Sequence, residues 1–250
     1  MIKELKNLLS FLTVIPIRMD KDILSDCAKA MFLFPLIGAF IGLLAGVFGW
    51  IIFHFVPESI VGVLVLGLLL IITGLHHTDG LLDFGDGIMA HGTPKRKIEI
   101  MHDQLTGAGG LSLGIMTFLI TALAFSELNS EFIIQSVIVV EVSAKLSMVI
   151  GAWVGKPIHK GMNTTFLDSM HGKKGALRLT AALIISFGIA IPLLWITGIA
   201  TILAGIFVSL FIVSLSHSQF KGVTGDVLGA TNELSRMTSI IVLLAMVRWV

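Results

Sequence analysis

Cysteine is almost absent from the chain. Cys27 stands alone among 250 residues, which excludes an internal disulfide and leaves the redox compartment open. Charge is scarce as well: Lys, Arg, Asp and Glu make up 13% of residues, about half the share of a soluble domain. With 55% hydrophobic residues and a mean hydropathy of +0.97, the composition identifies a polytopic membrane protein. No Pro- or Ser-rich linker and no low-complexity run interrupts it, so residues 1–250 read as a single integral-membrane domain. A net charge of +1 says nothing about nucleic acid, which is not expected as a partner; what matters is where the charges fall. A cleavable signal peptide would need small residues after its apolar core, where Ile15-Pro16-Ile17-Arg18 stands instead.

What the chain has in abundance is apolar runs. Residues 2–19 mix Leu5, Leu8, Leu9 and Leu12 with Lys3, Glu4 and Lys6, the pattern of an interfacial helix lying on the bilayer and ending at Pro16. Spans are expected near Met31–His54, Ile60–His76, Ala108–Phe125, Phe132–Trp153, Leu177–Trp195, Ile199–His217 and Met237–Val250. All but the last reach the ~17 residues that crossing requires. The expected fold is therefore all-α, with about seven transmembrane helices. Lys and Arg crowd the segments that share a side with the N-terminus, while the turns Pro57–Ser59, Ser126–Glu131 and Ile196–Gly198 hold none. By the positive-inside rule the N-terminus is cytoplasmic. The polar loops His77–Gly107, Val154–Ala176 and Ser216–Arg236 then all face the cytoplasm, where a site can be assembled without breaching the bilayer.

Chemistry concentrates where the second apolar run stops, in Gly-Leu-His-His-Thr-Asp-Gly-Leu-Leu-Asp-Phe-Gly-Asp-Gly from Gly74 to Gly87. On a helix Asp79, Asp83 and Asp86 share one face. Three like charges so placed suit open water or a cation, and hard carboxylate oxygens suit Mg²⁺ or Mn²⁺. Lys95, Arg96 and Lys97 follow, either to grip phosphates beside the metal or to set topology. Gly107–Gly110 reads as a phosphate-cradling nest or as close helix packing. Glu141 and Lys145 stand at i, i+4 inside the fourth span, either as an ion pair or as functional groups. The second loop carries Lys160, Lys173 and Lys174, which suit an anionic ligand. The third places Gly225 and Asp226 in a Thr-Gly-Asp turn, as an oxygen ligand, a substrate contact or an ordinary turn carboxylate.

His77-x-Asp79-Gly80-Leu81-x-Asp83-x-x-Asp86-Gly87 resembles the hallmark of the cobalamin synthase family, the adenosylcobinamide-GDP ribazoletransferases. Phe11-Leu12-Thr13-x-Ile15-Pro16, Ile100-Met101-x-Asp103 to Gly107, Gly161 after Pro157, and Gly222-x-Thr224-Gly225-Asp226-x-Leu228-Gly229-Ala230 extend the resemblance over nearly the full length. Where the family usually has Ser-Arg in the fourth span, this chain has Ser143-Ala144-Lys145, so a role needing a guanidinium fork does not carry over. An ideal helix would also point His77 away from Asp79, so either the helix starts after His77 or that histidine has a separate task.

The resemblance implies a membrane-embedded, Mg²⁺-dependent transferase at the cell (inner) membrane. Its substrates would be adenosylcobinamide-GDP and α-ribazole or its 5′-phosphate, with GMP released. His77, Asp103 and Asp226 would be catalytic, and Lys95, Arg96, Lys145, Lys160, Lys173, Lys174 and Gly225 would contact substrate. Asp79, Asp83 and Asp86 would hold the metal. The lipid bilayer is a further partner, and a homo-oligomer is compatible with the sequence.

Two other readings fit less well. Asp83-x-x-Asp86-Gly87-x-x-Ala90 copies the first half of the CDP-alcohol phosphotransferase signature, but Ile100, Gln104 and Ala108 stand where its second half needs a Gly and two acids. A cation-coupled transporter would place acids at mid-membrane and often in repeated halves, and Gly74–Gly87 has no second copy. The orientation is directly testable. In a Cys27→Ala background, Lys95→Cys should react with an impermeant thiol reagent only from the cytoplasmic side and Asn129→Cys only from outside; the reverse pattern would overturn it.

Overall fold

Backbone groups within a hydrocarbon layer must be satisfied inside their own segment, and the chain meets that demand with helices throughout. The structure is a computed structural model that describes residues 2–16, 23–158 and 162–249. Lys160 lies outside the described residues. Among those described are α1 (Ile2–Leu12), α2 (Ile23–Lys29), α3 (Phe34–Ile52), α4 (Glu58–Ile72), α5 (His76–Met89) and α6 (Pro94–Met101). They continue with α7 (Ala108–Ser126), α8 (Ile133–Val154), α9 (Met162–Met170), α10 (Gly172–Phe220) and α11 (Gly225–Trp249). No strand occurs among the described residues, and one isolated parallel bridge joins Pro157 to Val223.

The chain is a polytopic all-α membrane protein. Among the described residues, five helices are each long and apolar enough to cross a membrane, or six with α4 and α5 counted as one bent span. The 49 residues of α10 would run about 74 Å if straight, more than twice a hydrocarbon core of ~30 Å. The helix instead breaks at Trp195, whose backbone is non-helical, three residues after Pro192. Gly198 then packs on the Ala190 carbonyl, where an added Cβ would sit at 2.3 Å. The two expected spans and their turn are thus one hairpin of two legs. The last span needs correction. Expected as a short stretch from Met237, it begins at Gly225 and runs 25 residues, because Asn232, Glu233 and Arg236 are buried among polar partners rather than lying in a loop.

α8 forms the axis of the bundle, with α3, α10 and α11 against it. α3 reaches it through glycines four residues apart. An added Cβ would lie 2.6 Å from the Glu141 carbonyl oxygen at Gly38, 2.7 Å from the Ile138 Cα at Gly42 and 2.9 Å from the Ile134 Cα at Gly46. Without a strong hydrophobic force between helices in lipid, such close backbone approach supplies the attraction. α1 keeps its amphipathic character, burying Leu8 and Leu12 and exposing Lys3 and Lys6. Gly42→Leu should push α3 from α8 and cost about 1–3 kcal/mol of stability, seen as an earlier thermal transition in detergent. Gly67→Leu, where an added Cβ meets nothing within 4 Å among the described residues, should leave that transition in place.

Candidate active site at the loop-rich end of the bundle

The apolar run of α4 ends in two successive left-handed residues, Gly74 (φ 64°) and Leu75 (φ 61°). They turn the chain by 97° into α5, which is too polar and too short to span by itself. α5 starts at His76, so Asp79, Asp83 and Asp86 do share one helix. α11 meets α5 without side chains between them. A Cβ on Gly80 would lie 2.9 Å from the Asp226 backbone, and one on Gly229 would lie 3.3 Å from the His77 Cα.

That contact brings Asp226 among the α5 carboxylates. Burial raises the Asp83 carboxyl from its ordinary range to about 7, and the charges of Asp226, Asp79 and Asp86 push it the same way. The Thr224 hydroxyl donates to Asp226 Oδ2 (3.2 Å) and accepts from the Val227 amide (3.3 Å), capping the first turn of α11. The His102 ring reaches the same carboxylate at 3.7 Å. Among the described residues, no three His, Cys, Asp or Glu side chains stand close enough to grip an ion by themselves.

Asp86 faces a different task. It is buried, and its two oxygens accept from the backbone amides of Gly107 (2.6 Å) and Gly110 (2.8 Å) at the start of α7. The anion held at this helix start is the protein's own carboxylate. Gly85 and Gly110 meet backbone to backbone beside it, with an added Cβ on Gly85 only 2.8 Å from the Gly110 Cα. Of the two readings of Gly107–Gly110, close helix packing is the one observed.

The other expected residues divide. The polar loops gather at one end: Lys97 Nζ donates to Gln219 Oε1 (2.7 Å), and the Val223 amide donates to the Lys156 carbonyl (2.8 Å). Lys95, Arg96, Lys173, Lys174 and Gly225 are exposed, Arg96 pairing with Glu99 at 3.2 Å. Asp103 is exposed, and its Oδ1 accepts from the Leu105 amide at 3.4 Å. Lys145 is not at this surface. It is wholly buried in α8 and donates to Asn232 Oδ1 at 2.7 Å. Glu141 is bound to Arg236, which belongs to α11 and not to the loop Ser216–Arg236 expected from the sequence. His77 is buried on the α11 side of α5 and does not join the carboxylates; its Nδ1 has no partner among the described residues. His102 and Thr224 were missed as contacts of Asp226, although His102 fills the open position in Ile100-Met101-x-Asp103.

Residues 4–244 match the family model described as cobalamin-5-phosphate synthase. The chain belongs to that family. It is 30% identical over 249 residues to the adenosylcobinamide-GDP ribazoletransferase of Methanococcoides burtonii, covering 96% of this chain and 90% of the relative. It is 32% identical over 245 residues to the protein of that name from Thermococcus kodakarensis, covering 98% and 99%. The like-named protein of Clostridium novyi is 32% identical over 252 residues, covering 97% of each. No solved structure matches. Family membership thus spans both α5 and α11, the two helices that supply the carboxylates. The two roles on α5 should separate by mutation. Asp86→Ala strands buried amides at about 1–3 kcal/mol each and should lower thermal stability, whereas Asp83→Asn relieves repulsion and should keep or raise it.

Proposed function

We propose that this member of the cobalamin-5-phosphate synthase family joins GDP-activated adenosylcobinamide to α-ribazole, or to its 5′-phosphate, and releases GMP. The observation that carries the reading is the meeting of Asp79 and Asp83 on α5 with Asp226 on α11, at the end where the polar loops gather. The names of the relatives supply the substrates. A ribazole hydroxyl oxygen forms the new bond to the phosphorus on the cobinamide side as the bridging P–O bond breaks; GMP leaves with the bridging oxygen, and the hydroxyl proton passes to solvent or to the departing phosphate.

The donor set fits Mg²⁺. It consists of hard oxygens only, and Mg²⁺ commonly takes one or two protein carboxylates while water and substrate phosphates complete its shell. One or two of Asp79, Asp83 and Asp226 would hold it directly and the rest through water, while Asp86 anchors α7. Bound there, the ion would supply charge stabilisation on the attacked phosphoryl group and the leaving phosphate. Thr224 and His102 orient Asp226. The exposed Lys95 and Lys173 sit on elements at the loop-rich end and suit the anionic groups of the nucleotide. The Lys and Arg asymmetry supports a multi-pass protein whose site faces the cytoplasm.

Purified protein given adenosylcobinamide-GDP, α-ribazole and Mg²⁺ should release one GMP for each joined product. Intact nucleotide after incubation would contradict the reading. Metal clamping is worth several kcal/mol in such transfers, and ~4 kcal/mol is roughly a thousandfold in rate. Asp83→Asn and Asp226→Asn should each lose about three orders of magnitude by that arithmetic, with Asp79→Asn similar or milder. Each should need more Mg²⁺ to reach its remaining rate.

A further inference from the structure

Below the carboxylates lies a group of charges that the transfer reaction leaves unused. Glu141 of α8 receives Arg236 of α11 on both oxygens: Nε donates to Oε1, and Nη2 donates to Oε2 at 3.2 Å. Arg236 Nη1 donates to Glu233 Oε2. Asn232 links the rest, its amide donating to Glu233 Oε1 at 3.0 Å and its oxygen accepting from Lys145 Nζ at 2.7 Å. The four charged side chains are at most 1% exposed. Two acids and two bases balance, and every charge has a hydrogen-bonded partner.

Such a group is a weak way to hold helices together, since apolar residues of similar volume commonly do as well or better. Its best-attested use is to fix register. α11 needs that fixing, because it meets α5 through Gly80 and Gly229, flat faces over which a helix can slide or rotate. A slip of one residue moves a helix about 1.5 Å and turns it about 100°, enough to carry Asp226 away from Asp83. Asp226 and Glu233 are seven residues apart, on one face and about 10 Å along the axis.

We propose that Glu141, Glu233 and Arg236 are positioning residues for the transfer: they set the depth and rotation of α11 and so hold Asp226 beside Asp79 and Asp83. The inference rests on the cation site proposed above.

The test uses Glu141→Met/Arg236→Met, which removes one acid and one base and leaves Glu233 and Lys145 in balance. This variant should unfold at or above the wild-type temperature. Its turnover should nevertheless fall about a hundredfold, as a misplacement of about 1 Å can cost. Mn²⁺ binding to the purified protein without substrates, read by electron paramagnetic resonance of the free ion, should weaken. Arg236→Lys keeps the charge but loses the fork and should fall between. If the double variant binds Mn²⁺ and turns over as wild type while Asp226→Asn loses both, the network only supports the fold and the proposal is overturned. If Asp226→Asn itself leaves Mn²⁺ binding unchanged, the cation site fails and the positioning role falls with it. Should the double variant not fold, Arg236→Lys decides: wild-type Mn²⁺ affinity and turnover in that variant overturn the proposal.

Discussion

The backbone contact between Gly80 of α5 and Asp226 of α11 is the constraint on which the rest of the site depends. A side chain at residue 80 would hold the helices apart. Without one, two segments nearly 150 residues apart in sequence place their carboxylates within each other's electrostatic reach. The left-handed pair Gly74 and Leu75 makes the contact available by turning α5 across the end of the bundle instead of continuing α4.

Crowding carboxylates costs stability unless something offsets the repulsion, and the three α5 aspartates are managed differently. Asp86 is neutralised by the N-terminal amides of α7, a fixed interaction that locks α5 to the next span. Asp79 and Asp83 have no such anchor among the described bonds, and burial, with the charges of Asp226, Asp79 and Asp86 added to it, raises the Asp83 carboxyl to about 7. A divalent cation at the proposed site would relieve that repulsion. Deeper in the bundle the opposite design prevails, with Glu141, Glu233, Lys145 and Arg236 balanced among themselves.

Much of this was legible in the sequence. Apolar runs marked most of the spans, although the one from Ile60 stops at Ile72 and qualifies only together with α5, and the spacing of Asp79, Asp83 and Asp86 marked one helical face. What that spacing cannot distinguish is a carboxylate facing solvent from one that accepts hydrogen bonds from a neighbouring helix, as Asp86 does. The interior of α11 was misread for a related reason. Hydropathy counts Asn232, Glu233 and Arg236 as polar whether or not they are paired, and the partners Glu141 and Lys145 lie on α8, some ninety residues away. Helix geometry left His77 two readings, and the start of α5 at His76 decides between them: the ring lies off the face of Asp79. His102 carried no such signal, because only the fold brings it to Asp226.

The central claim is that one cation is shared by α5 and the first turn of α11. Replacing Mg²⁺ with Fe²⁺ and adding ascorbate and peroxide generates hydroxyl radicals at the ion, which cut the nearest backbone. Two cleavage zones are expected, one between Asp79 and Asp83 and one at Asp226, both suppressed by excess Mg²⁺. Cutting confined to α5, or centred on Gly107 beside Asp86, would contradict the account.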